Sequence, residues 1–474
     1  MKKIITNYVC VVLVIISCAY KSLAQENAGI VFSNYYPSAS VFLNPALTAD
    51  SRVFAQLQLA GVGANAFTNL FYIPKFSVAS AAKVSSNLTV EQLNGNLKRS
   101  LYASATLNGP SFYLSHDNYG LGIITRARVV GNVSRIPSDL AKFLVDQQPV
   151  GPPEGYQNIK RAGISSMGWT EYGVNGSYML FKERTRVISV GASLRYLRGA
   201  YMADVLLRRL KGEYTTTNLV VDELDGQLYY TPFVLGSGKG FGTDLGIVYR
   251  EMVKDAGSYY AHSKVSNCRF VDYKYRVGIA LRDLGFISFK NAEMWTLSGS
   301  GSFQTDVGPL IDSAATVNSA IQTFSGKKVR SSLPTSLVLH GDYNFGAGLY
   351  AGAAAFINIM PTAWNGVQAP SLFFLNARYE RRQYEVAAAV VFQRYIYPQL
   401  HLGFRYRSFS LGIENAIPYV VKVNTKGIGI YASLAITLFR NPACKPQGRP
   451  VDVCPPSEMS GVGKSGWLRK LFRK

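Results

Sequence analysis

The chain has 474 residues with 50 Lys and Arg against 28 Asp and Glu, a formal net charge of +22, and is rich in Tyr (30) and Gly (43) with only five Cys. No stretch of 18 or more uncharged apolar residues occurs beyond the first two dozen, which excludes a helical membrane protein, and no His or Cys spacing suits zinc. The cations are spread along the chain rather than gathered in one patch, which argues against nucleic acid as the anionic neighbour and for lipid headgroups, lipopolysaccharide or an anionic solute.

In chain order, the first segment is MKKIITNYVCVVLVIISCAYKSLAQEN. Lys2 and Lys3 precede an apolar run, and Ser22 and Ala24 form a small-x-small site, the layout of a secretory signal cut after Ala24. Ile15-Ile16-Ser17-Cys18 also has the look of a lipoprotein box, so acylation at Cys18 stays open. Without the three leader lysines the charge is +19. Export fits the sparse cysteines: Cys444 and Cys454 are close enough to pair in an oxidising compartment, leaving Cys268 odd.

From Ser51 to Phe439 one pattern recurs. In YKYRVGIALRD, Tyr273, Tyr275, Val277, Ile279 and Leu281 alternate with Lys274, Arg276, Gly278, Ala280 and Arg282. In FGTDLGIVYR, Phe241, Leu245, Ile247 and Tyr249 oppose Gly242, Asp244, Gly246 and Arg250; in LHLGFRYR, Leu402, Phe404 and Tyr406 oppose His401, Gly403, Arg405 and Arg407. Side chains alternate across a strand with period two, so each segment sets an apolar face against a glycine-cationic one. The alternation lasts about ten residues, the length of a tilted membrane strand, and many stripes end in Tyr or Phe where a headgroup girdle lies. About 14 such strands make the expected fold an all-β, transmembrane antiparallel barrel with the apolar faces in lipid and the polar faces inside. Arg126, Arg128, Arg195, Arg250, Lys274, Arg276, Arg282, Arg405 and Arg407 are then candidate lumen-facing cations, with Asp244, Glu385 and Glu414 as the chief inward acids. Either they raise the local anion concentration or they pair and seal the interior.

Longer polar segments at 132–162, 204–240 and 293–332 are expected as extracellular loops, with a short helix over Ser138–Asp146 and a hairpin within Thr215–Thr231. Residues 440–474 form a Pro- and Gly-rich tail with eight basic and two acidic residues. An even-stranded barrel leaves this tail in the periplasm, where it can touch a protein or surface partner.

The stretch Leu43-Asn44-Pro45-Ala46-Leu47 before the first strand, with EYGVNGSYML, ISVGASLRYLRG and ALRDLGFISF in order after it, resembles an uncharacterised family of Gram-negative outer-membrane barrels. A more distant likeness is to FadL-like hydrophobic-solute transporters, which share the Asn-Pro-Ala element, and to the PorP/SprF barrels of type IX secretion. The PorP/SprF pattern has a Gln-Tyr stretch that VFSNYYPSASVFLNPAL lacks. The resemblance implies that residues 25–50 plug or lid the lumen. Physically, Pro45 cannot continue a ladder and holds Asn44 extended, so the pair ends the arm and launches the barrel.

No catalytic constellation is legible. The four histidines share no metal spacing, His116 and Asp117 are adjacent and cannot form a dyad on a strand, and GSGKGFG lacks phosphate-loop spacing. The expectation is a protein without cofactor or metal that is not an enzyme. It is a conduit for a small hydrophobic or anionic solute or, alternatively, a scaffold or secretion component.

Overall fold

The computed structural model describes residues 28–81, 90–92, 99–137, 155–214, 218–264, 268, 270–304, 321–361, 365–393 and 398–444. Residues 1–27 with the leader, the helix expected at Ser138–Asp146, Cys454 and the tail from 445 lie outside them.

Fourteen antiparallel strands close into a barrel. β1 is Ala55–Thr68; β2 is Arg99–Asn108 continued by Ser111–His116; β3 is Tyr119–Ile136; β4 is Gly155–Glu183; β5 is Arg186–Tyr214. β6 is Asn218–Thr231 continued by Gly238–Met252, β7 is Tyr273–Gln304, and β8 is Ile321–Ser332 continued by Ser336–Gly346. β9 to β14 are Leu349–Asn358, Leu372–Glu380, Tyr384–Gln393, Gln399–Tyr406, Phe409–Glu414 and Gly427–Leu438. β1 closes the ring by pairing with β14 at Ala55↔Leu438 and with β2 at Val62↔Leu107. The three strands in two pieces break where Pro110, Pro232 and Pro334 stand, because proline has no N–H to give to a ladder.

The strand count is the expected one; the lengths are not. β4 and β5 run 29 residues and β7 runs 32. Much of what reads as loop at 132–162, 204–240 and 293–332 is therefore strand, with Val205↔Leu228 and Leu297↔Gly226 pairing well beyond the bilayer. Arg209 and Lys211 meet Glu223 there, at 2.6 and 3.1 Å. Charged strands of this kind look like loop because they carry no apolar outward stripe.

The apolar stripes face outward. Leu180, Leu194 and Phe241 expose 65%, 61% and 68% of their surface on three neighbouring strands, a continuous greasy band that no water-soluble protein keeps. Tyr178, Tyr249, Tyr275, Tyr384 and Tyr406 ring the end with the short turns, where Tyr249 and Tyr275 lie 6.1 Å apart. Tyr196, Phe241, Phe286, Phe373 and Phe392 mark the other rim, where the Tyr196 and Phe241 rings are 5.7 Å apart. Tyr249 to Phe241 is roughly 27 Å along the strand and about 20 Å in height after tilting, close to a bilayer's apolar thickness. Barrels of the outer-membrane kind keep short turns in the periplasm and long connections outside, which orients this one.

Leu245 sits mid-band and outward on β6. Leu245→Arg is expected to cost about 2–4 kcal/mol of stability in lipid vesicles, the cost of a cation at the bilayer midplane. Urea unfolding reads the loss, and an unchanged midpoint would put this face in water.

Candidate functional site

The lumen has two storeys. The lower one, at the short-turn end, is filled by the chain's own N-terminal arm: nearly every side chain from Ala28 to Ser51 is buried. The arm turns at Pro37–Ser40, a four-residue helix, then at a 3-10 turn over Pro45–Asp50. Asn44 is extended and its side chain receives the Ala46 N–H at 2.9 Å. Its Nδ2 donates to the Ile247 and Ile279 carbonyls at 3.1 Å, reaching two wall strands at once.

Contact this close needs glycine in the wall. A Cβ on Gly246 would stand 2.0 Å from Asn44 Oδ1, and one on Gly191 would stand 2.5 Å from the Ala46 nitrogen. Gly191 thus seats the arm's backbone and Gly246 the side chains of Asn44 and Pro45.

The inward cations other than Arg282 are bound to buried acids, in three groups. Arg126 Nε meets Glu171 at 2.7 Å, Arg128 meets Asp283 at 2.9 Å, and Arg195 meets Glu171 at 3.0 Å and also Asp244. Trp169 Nε1 donates to Glu171 at 2.7 Å while Arg128 lies over its ring. In the second group, Asp342 holds Arg276 at 3.0 Å and Arg378 at 2.8 Å, and Glu380 accepts from the backbone N–H and Nδ2 of Asn34, both at 3.1 Å. Arg276 also donates to the Phe32 carbonyl at 2.7 Å, so the group grips the arm. Arg405 pairs with Glu385, which accepts the Ser33 hydroxyl at 2.5 Å. The third group joins Arg250 to Asp50 at 3.5 Å, with the Tyr259 hydroxyl donating to Asp50 at 2.8 Å. Arg282 is buried over the Phe356 ring.

The described part of the connection between β6 and β7, residues 253–264, 268 and 270–272, reaches across the short-turn mouth. It pairs Asp117 with Ala261, accepts Arg52 on Asp272 at 2.6 Å, and sets His262 Nε2 2.9 Å from the Ser51 carbonyl. Burial raises the Asp50 carboxyl above its ordinary value against the pull of Arg250 and Tyr259. Burial works to lower the Arg52 guanidinium, but Asp272, Tyr350 and Tyr35 leave it well above its ordinary value. Burial lowers His262. A disulfide from Cys268 to Cys444 ties this segment to the chain leaving β14. The expected Cys444–Cys454 bridge is therefore wrong, because folding brings residues 176 apart in sequence to a Cα–Cα distance of 6.0 Å.

The upper storey is apolar on its inside. Val130, Met167, Trp169, Leu197, Met202, Tyr229, Ile287, Phe289 and Val329 form one buried cluster with Met294 against it. Val367 and Ala369, from the connection between β9 and β10, close over it. That connection is held by Gly366 N–H to Asp204 at 3.0 Å and Gln368 N–H to Asn132 at 2.9 Å. Between the storeys, a cavity of about 40 Å³ lies among Tyr36, Ser38, Gln58, Thr106, Asn108 and Arg126, enough for a few waters.

Of the nine candidate cations, Arg126, Arg128, Arg195, Arg250, Arg276, Arg282 and Arg405 are buried on the lumen side. Lys274 and Arg407 are not. Lys274 is an extra residue, because Met252 pairs Tyr273 while Glu251 pairs Tyr275; the bulge leaves Lys274 exposed and turns Tyr273 inward. Arg407 stands exposed in the β12–β13 turn at φ +49°. Asp283, Asp342, Glu380 and Asp50, which neutralise the cluster, escape the sequence reading. Alternation from His340 to Asn344 could have found Asp342; Asp283 could not be found, since its φ of +52° breaks the parity that locates it.

The model of a family of unknown function, DUF5723, matches residues 45–414. No curated protein matches the sequence. Among solved structures, the toluene transporter TodX of Pseudomonas putida is similar over 88% of this chain and 99% of its own at 14% identity and TM-score 0.42. The toluene transporter TbuX of Ralstonia pickettii is similar over 84% and 92% at 12% identity and TM-score 0.36, and a FadL homologue of Pseudomonas aeruginosa over 89% and 99% at 12% and 0.37.

Gly246→Val should unseat the arm, making the bond after the half-buried Arg52 open to trypsin in the folded barrel; continued protection would contradict this seating. Peptide mapping without reductant should recover Cys268 joined to Cys444, with Cys454→Ser leaving that bridge intact, whereas a 444–454 peptide would overturn the clasp.

Proposed function

The chain belongs to the family of unknown function DUF5723, and from that premise we propose that it is an outer-membrane conduit for small apolar solutes, held shut by its own N-terminal arm. The observation that carries this reading is the apolar inner face of the upper storey. A passage for ions or sugars needs a polar wall there, whereas Met167, Met202 and Met294 beside Trp169 and Phe289 offer an adaptable, greasy one. An anionic cargo is the weaker choice, because the lumen cations other than Arg282 already have acids. Arg126, Arg128 and Arg195 share Glu171, Asp244 and Asp283 and have little field left to give.

A solute would enter the upper storey as the connection at 365–370 gives way and would pass the paired charges only when the arm moves. The arm's grip is polar and distributed over many hydrogen bonds, so its release is a step of its own rather than a fluctuation of one side chain.

Uptake of a radiolabelled monoaromatic hydrocarbon by cells making the protein tests this. Expression should raise the initial rate, and Met202→Asp, which puts a charge in the apolar storey, should return it to the level of cells without the protein while heat-modifiable gel mobility persists. Uptake unaffected by Met202→Asp, or uptake of an organic anion instead, would contradict the reading.

A further inference from the structure

The outer surface carries a cation row that no internal partner explains. Lys239 on β6 pairs in register with Arg198 on β5 and with Ser288 on β7, and Ser288 pairs with Arg330 on β8. Arg198, Lys239 and Arg330 are all exposed, and they point outward because their strand neighbours Leu197 and Val329 are buried inward. Lys290 and Lys328 flank the next register pair, Phe289↔Val329, and are exposed too. Among the described residues none of the five meets an acid; Arg330 instead lies 5.0 Å over the Phe286 ring of the aromatic rim.

The height of the row identifies its neighbour. One step toward the short-turn end stand Tyr196, Phe241 and Phe286, exposed and apolar, which belong in hydrocarbon. The cations therefore lie at the edge where the hydrocarbon of the outer leaflet meets its headgroups, the depth of lipid phosphates. The width selects among lipids. Three inter-strand steps span roughly 14 Å, too wide for a single phosphate and suited to a headgroup with two separated ones. The row is also local: β9, β10 and β11 end on Ile357, Phe373 and Phe392 at their outward rim.

We propose that Arg198, Lys239 and Arg330 form a binding site on the barrel's exterior for a bisphosphorylated glycolipid of the outer leaflet, with Lys290 and Lys328 completing its anion shell. Charge-assisted hydrogen bonds from two guanidinium groups flanking one ammonium hold the two phosphates, and the apolar band beneath receives the acyl chains. The site depends on the orientation of the barrel and not on what passes through it.

The test uses the full chain in nanodiscs of neutral lipid, titrated with a bisphosphorylated glycolipid or with phosphatidylglycerol at equal added charge. Bound lipid is counted by native mass spectrometry. The glycolipid should bind in preference, and R198Q/K239Q/R330Q should weaken it on the order of 100-fold. The equally charge-reduced R208Q/R209Q/K211Q, altered in the sheet beyond the bilayer, should bind as the unaltered chain does. Equal retention of phosphatidylglycerol would overturn the site as a mere basic surface, and so would glycolipid binding undiminished in the triple variant. If the triple variant fails to insert, K239Q alone serves, with several-fold weakening expected and unchanged binding overturning the proposal. Loss of solute uptake with glycolipid binding intact would count against the conduit and leave this site standing.

Discussion

A closed barrel in hydrocarbon leaves its inward polar groups only one another, water or an inserted segment as partners, and that constraint organises this molecule. The lower lumen meets it with ion pairs and an arm. An arginine buried without an acid costs several kcal/mol, and removing one partner of a buried pair typically costs about 3–5 kcal/mol. Asp342 between Arg276 and Arg378, and Glu171 between Arg126 and Arg195, therefore fix the wall strands relative to one another as well as neutralising charge. The arm joins the same network: Asn34 and Phe32 are ligands of the Arg276 group, and Asp50 is the partner of Arg250. Barrel and arm are one hydrogen-bonded unit, and displacement of the arm uncovers charges that water must then solvate.

The two storeys divide the labour. Below, polar contacts lock; above, an apolar lining packs without directional bonds and can accept a guest at lower cost. The clasp across the short-turn mouth adds a covalent tie that bridges the connection between β6 and β7 to the end of β14, so the mouth is braced on both sides of the seam between β14 and β1.

Much of the fold is legible in the sequence because period-two alternation survives wherever one face meets lipid. Phe241 to Tyr249 and Leu400 to Tyr406 give strand, face and girdle from parity alone. The same rule fails where its premise fails. Around Ile287 and Phe289 the contrast inverts, with apolar residues inside and Ser288 and Lys290 outside, so a parity that assigns the apolar face to lipid misses the greasy upper storey. At Lys274 and Asp283 a single extra residue reverses the faces of the residues beyond it, and only the partner strand reveals the reversal. The cysteine pairing depends on contacts across 176 residues, where closeness in sequence misleads. The Asn44-Pro45 pair shows both sides: its extended backbone comes from proline's geometry, while its role as a tie to two wall carbonyls needs the barrel around it.

Single-channel conductance in planar bilayers tests the plugged barrel most directly. The intact chain should hold the membrane at its basal current, and a chain lacking both residues 28–51 and the lid at 365–370 but still heat-modifiable should give discrete conductance steps. Steps of equal size from the intact chain, or none from the inserted chain without arm and lid, would contradict the account.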